Sequence, residues 1–438
     1  MKVLRVLAAA TMGLALWALA PLAFAPSAVA TAFAAAPPAD RPNPGDANAA
    51  NDPNGGRSAA PREKVRVLLV SGGAGREFQY LRNALTRQTD EYLVTVWQQN
   101  GEPKANQGSS SVGMGLIALP RTAEGLAGTP GDANSRGYHV VILYDPQHVE
   151  GSFDKTFVQE ALKPFVWRRG GGLCYIAGKK STEKILGASP EFAALRELLP
   201  VVVAPDSSAL VRIADSSPAA WGLKPTFYGI DHPILNLGRT VEESNSLWGV
   251  LPGLYWSHPV LKPKPAARVL AVSSDSNART ASREEPLPVL AVQPFGLGSV
   301  AYMGSDETWR WVSVQEGACH RAFWGNLIRH LADRSSRRAA IYTGGARFAV
   351  GDAVTIEIEA YDDEYQPLRK DAIDLTVSPA LGNPYPLKSR VILRPVEGRP
   401  GLFRGTYEPG RAGVFLLTVD EPRLSKGIQI VDPVAAPR

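Results

Sequence analysis

Apolar residues along this chain follow two rhythms. Up to about residue 330 they come as short unbroken runs separated by helical spacings, and beyond it they alternate with polar residues one for one. The first run, VRVLLV from Val65, has the character of a strand covered on both faces. It ends in Ser71-Gly72-Gly73-Ala74-Gly75, after which Phe78, Leu81, Ala84 and Leu85 share one face of a helix. LVTVW (Leu93 to Trp97), HVVILY (His139 to Tyr144) and LCYIAG (Leu173 to Gly178) predict three more strands. Between the last two, Phe157, Val158, Ala161, Leu162, Phe165 and Val166 recur at helical spacing until Gly170-Gly171-Gly172 stops them. The Gly/Ser-rich stretch reaching Gly137 has no period and reads as a long loop.

Strand, helix, strand at this spacing requires right-handed crossovers and a parallel sheet. Val67 to Val70, Val140 to Leu143 and Leu173 to Ile176 are therefore expected as parallel neighbours. Ser189-Pro190 opens another helix, with Ser as the cap and Pro at the first helical position. RVLAV (Arg268 to Val272), PVLAV (Pro288 to Val292) and SVAYMG (Ser299 to Gly304) predict later strands. A closing helix gathers Cys319, Phe323, Leu327, Ile328 and Leu331 on one face. Residues 63–335 thus read as one α/β domain, a mostly parallel sheet sandwiched by helices. Ligands of such sheets sit at the carboxyl ends of the strands. That edge collects Gly72 to Glu77, Asp145, Gly178-Lys179-Lys180 and Ser305-Asp306-Glu307.

After Arg337 the period changes to two. Val354, Ile356, Ile358 and Ala360 alternate with Thr355, Glu357 and Glu359, and Ile373, Leu375 and Val377 repeat the pattern. Shorter runs follow at RVILRPV, GLFRGTY, GVFLLTV and GIQIV, separated by turns such as Asp362-Asp363-Glu364 and Gly410-Arg411-Ala412-Gly413. Residues 338–438 read as an Ig-like β-sandwich of six or seven short strands. Asp333 to Tyr342 reads as the linker between the two domains, and the acidic turn as a solvated hairpin.

The N-terminus adds a cell-biological expectation. Lys2 and Arg5 precede an apolar run from Val6 to Ala20, and Ala28-Val29-Ala30 forms an A-x-A-type cleavage site, so residues 1–30 read as a signal peptide. The run stops at Pro21, short of the roughly twenty apolar residues a membrane span requires; left uncleaved, it would anchor the chain. Residues 31–62, rich in Pro, Ala, Asn and Gly, cannot bury enough surface to offset their ordering entropy and read as a disordered tether. The folded part is therefore expected in the periplasm or cell envelope.

Composition narrows the chemistry mainly by exclusion. Of 438 residues, 45% are apolar and 20% charged, an ordinary globular balance. The net charge of +5 includes Lys2 and Arg5 of the leader, so the remainder is near +3 and carries no basic stripe of the kind nucleic acid demands. Two cysteines exclude a disulfide scaffold and a Cys-rich zinc site. The six histidines show no H-x-H, H-x-x-x-H or H-E-x-x-H spacing, so no metal is expected. Gly178-Lys179-Lys180-Ser181 is not a P-loop, because Leu173 stands where the first glycine belongs and Lys180 where Ser or Thr is required. Ser71 to Gly75 does not fit G-x-G-x-x-G, and no G-x-S-x-G is present. No cofactor is implied.

Three segments nevertheless carry a family resemblance: SGGAGREFQYLRNAL after the first strand, FVWRRGGGLCYIAG, and GSDETWRW followed by HRAFWGNLIRHL. Through them residues Val65 to Arg334 resemble the class I glutamine amidotransferase-like superfamily. The nearer likeness is to an amidotransferase-like domain of large bacterial envelope proteins, often found beside von Willebrand factor A modules. The resemblance implies a flavodoxin-like fold. In working members a Cys stands on a strained turn after the fourth strand, with a His and a Glu after the last strand. The thiolate attacks the amide, the His moves the proton and backbone N–H groups of the turn hold the oxyanion. Here Ala177 occupies the nucleophile's place and Gly304-Ser305-Asp306-Glu307 the place of the His.

The cysteines do not fill the gap. Cys174 lies inside the strand, three residues before the turn, and Cys319 lies on the buried face of the closing helix with His320 directed roughly 100° away. Both read as core. Asp306, Glu307, Trp309, Arg310 and Trp311 form the most chemical-looking cluster. Trp309 and Trp311 are expected to cap the sheet edge while Arg310 pairs with a nearby acid. The resulting expectation is an exported, non-catalytic binding or scaffold protein of the cell envelope, its partner an envelope protein or a glycan. Its cleft is expected among Gly72, Gly73, Arg76, Glu77, Asp145, Ala177, Gly178, Lys179, Trp309 and Arg310. The alternative is a hydrolase acting on a sugar or amide through Asp306 and Glu307.

Overall fold

The computed structural model describes residues 63–99, 115–128, 137–203, 219–333, 339–362, 366–380 and 388–432. The expected signal peptide and tether lie outside the described residues. Among the described residues no helix is long and apolar enough to cross a membrane.

Among the described residues, ten strands belong to the first region: β1 (Val65–Ser71), β2 (Tyr92–Gln98), β3 (Val140–Tyr144), β4 (Gly172–Ile176), β5 (Val201–Val203), β6 (Leu223–Pro225), β7 (Val260–Pro263), β8 (Arg268–Ser273), β9 (Pro288–Phe295) and β10 (Gly298–Met303). Eight of them form one sheet in the order β2-β1-β3-β4-β10-β9-β8-β6, while β5 and β7 pair separately. From β2 to β10 every neighbour is parallel. From β10 to β6 every neighbour is antiparallel. The segments of β1, β3 and β4 are adjacent and parallel, with Val67 opposite Val140 and Val140 opposite Gly172.

The unbroken apolar runs are explained by layers on both sides. On one face Leu68, Val70, Val141 and Leu173 pack against Phe157, Val158, Leu162 and Phe165, which follow one another through a π-helical turn and the helix Lys163–Trp167. On the other face Val67, Leu69, Ile142 and Cys174 meet the helices Arg76–Thr86 and Ala318–Ala332 through Phe78, Leu81, Phe323 and Leu327. The Ser189 hydroxyl accepts from the Glu191 N–H at 3.3 Å, capping the short helix that Pro190 begins. One element departs from the loop expectation. Ala123–Ala127 is a helix, capped by Thr122 and buried through Leu126, but at five residues it is too short to display a period.

The second region contributes β11 (Ala339–Tyr342), β12 (Arg347–Ala349), β13 (Val354–Ala360), β14 (Ile373–Pro379), β15 (Ser389–Pro395), β16 (Leu402–Tyr407), β17 (Gly413–Val419) and β18 (Leu424–Val431). They form an eight-stranded sheet, β11-β13-β16-β15-β14-β17-β18-β12, curled around Ile356, Ile358, Leu375, Leu393, Phe403, Leu417 and Ile430. Two findings correct the sequence reading. The segment read as linker ends in β11, where Ile341 pairs opposite Ile358 and reaches the core. Glu357 and Glu359, polar members of an alternating strand, are both buried, because that face of β13 packs on the first region. There the Arg268 guanidinium meets Glu359 at 2.9 Å and the Tyr228 hydroxyl donates to Glu357 at 2.7 Å.

Candidate ligand-binding cleft

The cleft forms where β1, β3, β4 and β10 end together. At the end of β1 the chain turns sharply: Ser71 donates its hydroxyl hydrogen to Gly73 O at 2.6 Å, and Gly75 N–H returns to Gly73 O at 2.9 Å. The glycines permit close contact with β3. A Cβ on Gly72 would lie 2.0 Å from Asp145 O, and one on Gly75 would lie 2.1 Å from the Tyr144 hydroxyl.

Asp145 follows with φ +39°, a left-handed conformation unusual for a residue other than glycine. Its carboxylate holds it there. It accepts from the N–H groups of Lys180 (3.1 Å), Ser181 (3.0 Å) and Thr182 (2.8 Å) and from the Thr182 hydroxyl (2.9 Å). This one side chain therefore ties the β3 turn to the β4 turn and fixes Lys179 and Lys180 beside the opening.

The fourth wall comes from β10. Trp309 stacks near Tyr80 with ring centroids 6.2 Å apart, and the guanidinium groups of Arg76 and Arg310 lie 4.7 and 4.6 Å from its ring centre. Arg310 also reaches Glu307 Oε1 at 3.6 Å, while the other Glu307 oxygen accepts from Tyr255 N–H at 2.6 Å. Trp311 is buried, its indole N–H donating to Pro252 O at 3.1 Å.

These walls enclose a cleft of about 300 Å³. Of the residues nominated from sequence, Gly72, Gly73, Arg76, Asp145, Lys179, Asp306, Glu307 and Trp309 line it. Four others do not. Ala177 is fully buried and donates its N–H to Met303 O at 2.8 Å, and Gly178 is packed against the Asp145 side chain. Arg310 covers Trp309 and Tyr255 instead of facing the cavity. Glu77 lies beneath the floor. Gly75 and Lys180, expected at this strand edge, also line the cleft, and Tyr144 and Gln147, within two residues of Asp145, join them.

Two carboxyl groups have altered acidity. Glu77, 1% exposed, accepts from the Thr308 hydroxyl and from Trp309 N–H, but burial dominates and pushes its pKa up to about 8. Asp306 rises to about 6, first through burial and then through the charges of Asp145 and Glu307, with the Tyr144 hydroxyl donating to it at 3.3 Å. His320 was expected to point away from Cys319 on its helix. It is buried 4.0 Å from Glu77, and burial lowers its pKa to about 4. Helical periodicity placed it off the core stripe, but the Thr308–Ser313 turn covers that flank of the helix.

Both thiols are free and buried. Cys174 is inside the sheet with its pKa raised by burial, and the Cys319 thiol is raised by the same cause. Neither faces the cleft. Of the carboxyl groups that line the cleft, Asp306 is the partly accessible one, whereas Asp145 and Glu307 are buried.

No family model matches the chain, and no curated protein matches it. Among solved structures it is similar to the exo-β-1,4-mannosidase Op5Man5 from Opitutaceae bacterium strain TAV5, at 13% identity and a TM-score of 0.32, over 61% of this chain and 36% of that one. It is also similar to a β-glucosidase from Listeria innocua, solved with isofagomine, at 12% identity and a TM-score of 0.15, over 84% of this chain and 46% of that one. The chain matches less than half the length of either, and likenesses this slight carry no argument about its activity.

Proposed function

We propose that this is an exported, amidotransferase-like protein of the cell envelope that binds a ligand in the cleft without transforming it. The observation that carries the reading is Ala177: the position that corresponds to the family's nucleophile has no reactive atom and is sealed into the fold. The carboxyl groups support it too. Glu307 is tied to Arg310 and Tyr255, Asp145 to the 180–182 turn, and Glu77 to Thr308 and Trp309. The parallel order β2-β1-β3-β4-β10 agrees with a flavodoxin-like sheet, and the curled second sheet is read as Ig-like. A glycan or an envelope protein surface is the intended occupant, with the leader removed after Ala30.

The test pairs an activity assay with a ligand screen. Purified protein is expected to release no ammonia from glutamine, because loss of a nucleophile alone costs about a million-fold in turnover. A thermal-shift screen of envelope glycans is expected to return a stabilising ligand whose effect is lost in Trp309→Ala. Ammonia release abolished by Cys174→Ala would overturn the reading.

One observation favours the hydrolase alternative. Asp306 faces the cavity with a pKa near 6, in the range of a general acid. Sugar or amide hydrolysis that disappears in Asp306→Asn would establish it. Glycoside hydrolysis ordinarily needs a second free carboxylate, and Glu307 is engaged elsewhere.

A further inference from the structure

Past Asp145 the chain leaves the cleft and enters a turn that is held from several sides. Gln147 and Gln99 exchange two amide hydrogen bonds of 2.7 Å, and Gln147 also donates to Gly72 O at 2.9 Å. Val149 N–H reaches Phe153 O at 3.0 Å, and Gly151 N–H reaches the Asp154 carboxylate at 2.9 Å. His148 therefore projects from a fixed backbone, its ring edge-on to Phe192 at 5.7 Å. Phe192 is itself buried and stacked on Phe153. Glu191 precedes Phe192 in the helical turn capped by Ser189.

This framework brings three donor side chains together. His148 Nε2 lies 3.0 Å from Glu191 Oε1 and 3.5 Å from Glu150 Oε2, and one ligand atom from each residue lies within 4.8 Å of the others. Among the described residues, no Lys or Arg forms an ion pair with either glutamate. An ordinary His–Glu pair needs one carboxylate, whereas here a second is drawn to the same nitrogen. Ligand atoms bound tetrahedrally to zinc at about 2.0–2.1 Å are spaced roughly 3.3–3.4 Å apart. The two separations from Nε2 bracket that spacing.

We propose that His148, Glu150 and Glu191 form a divalent transition-metal site that takes Zn²⁺ beside the cleft rim formed by Gln147. An imidazole nitrogen with two carboxylate oxygens suits zinc, whereas Mg²⁺ and Ca²⁺ favour oxygen ligands throughout. Three protein ligands leave one tetrahedral position for water or for a ligand group. Histidine spacing could not reveal the site, because the third donor comes from beyond β4.

The experiment is titration of untagged full-length protein with Zn²⁺ by calorimetry, with Co²⁺ followed by visible absorption and with Mg²⁺ and Ca²⁺ run in parallel. One equivalent of zinc is expected, Co²⁺ should develop four-coordinate d–d bands, and Mg²⁺ and Ca²⁺ should compete poorly. Loss of an outer-shell partner commonly weakens metal binding about 10–100-fold, so His148→Ala and the conservative Glu191→Gln should each lose at least that much. Both positions lie at the surface, and the metal-free melting temperature should not move. Failure to bind zinc, or stoichiometric binding that survives His148→Ala, would overturn the assignment. Neither outcome depends on whether the cleft binds a glycan.

Discussion

Carboxylates are buried in two parts of this molecule, and the two parts treat them differently. Where the α/β region meets the curled sheet, each buried acid has a cation. Arg268 lies 2.9 Å from Glu359, Arg404 donates to Glu357 at 2.8 Å, and Lys426 meets Asp231 at 2.5 Å. Beneath the cleft, Glu77 has only neutral donors and Asp306 has a tyrosine hydroxyl and two neighbouring acids. A buried acid beside a cation retains its charge, whereas one without a cation gives up acidity. The seam therefore uses its charges to fix how the two regions dock. The cleft uses burial to bring carboxyl groups into the neutral pH range.

Removing one partner at the seam gives the largest expected effect. Arg268→Ala leaves Glu359 buried without its cation and should cost about 3–5 kcal/mol in denaturant unfolding. Replacing both residues by methionine should recover most of that loss. A cost below about 1 kcal/mol for the single variant would break the comparison.

The cleft should respond to pH instead. Glu77 is protonated in the fold and ionised in the unfolded chain between about 4.5 and 8. Its stabilising contribution is complete below the lower value and is lost as pH rises through the upper one. His320 and His258, lowered by burial to about 4, act with the opposite sign only below about 6.5. Lys264, lowered to about 8, counteracts only above that value. Between pH 6.5 and 8 stability should therefore fall by about 1.4 kcal/mol per unit, roughly 2 kcal/mol in total. In Glu77→Gln the slope should vanish; an unchanged slope assigns it to another group.

A smaller gain is expected at Asp306. At pH 7 it is mostly ionised in a place that disfavours the charge, so Asp306→Asn should stabilise by about 1 kcal/mol. The smallest effect belongs to an ion pair away from both the seam and the cleft. Arg390 and Asp374 pair on the exposed face of the curled sheet, and Arg390→Ala should leave the melting temperature unchanged.

Much of this arrangement was legible along the chain. Unbroken apolar runs and helical spacings specify β1, β3 and β4 as parallel neighbours because both faces of a crossover sheet must be covered. Period-two alternation from Val354 specifies β13 to β18 for the corresponding reason, since one face of each strand meets the core of the curled sheet. The strand ends then select most of the cleft, because parallel strands deliver their loops to one edge. The neighbours of those loops could not be read in the same way. Glu359 looks solvated until Arg268 is folded against it, and His320 lies off the helix's core stripe until the 308–313 turn closes over it. Glu77 and Asp306 differ from ordinary acids only because water is removed around them. Local sequence sets which face of an element is apolar, but the partner and the solvent of each polar group depend on distant segments, and only the tertiary structure decides those.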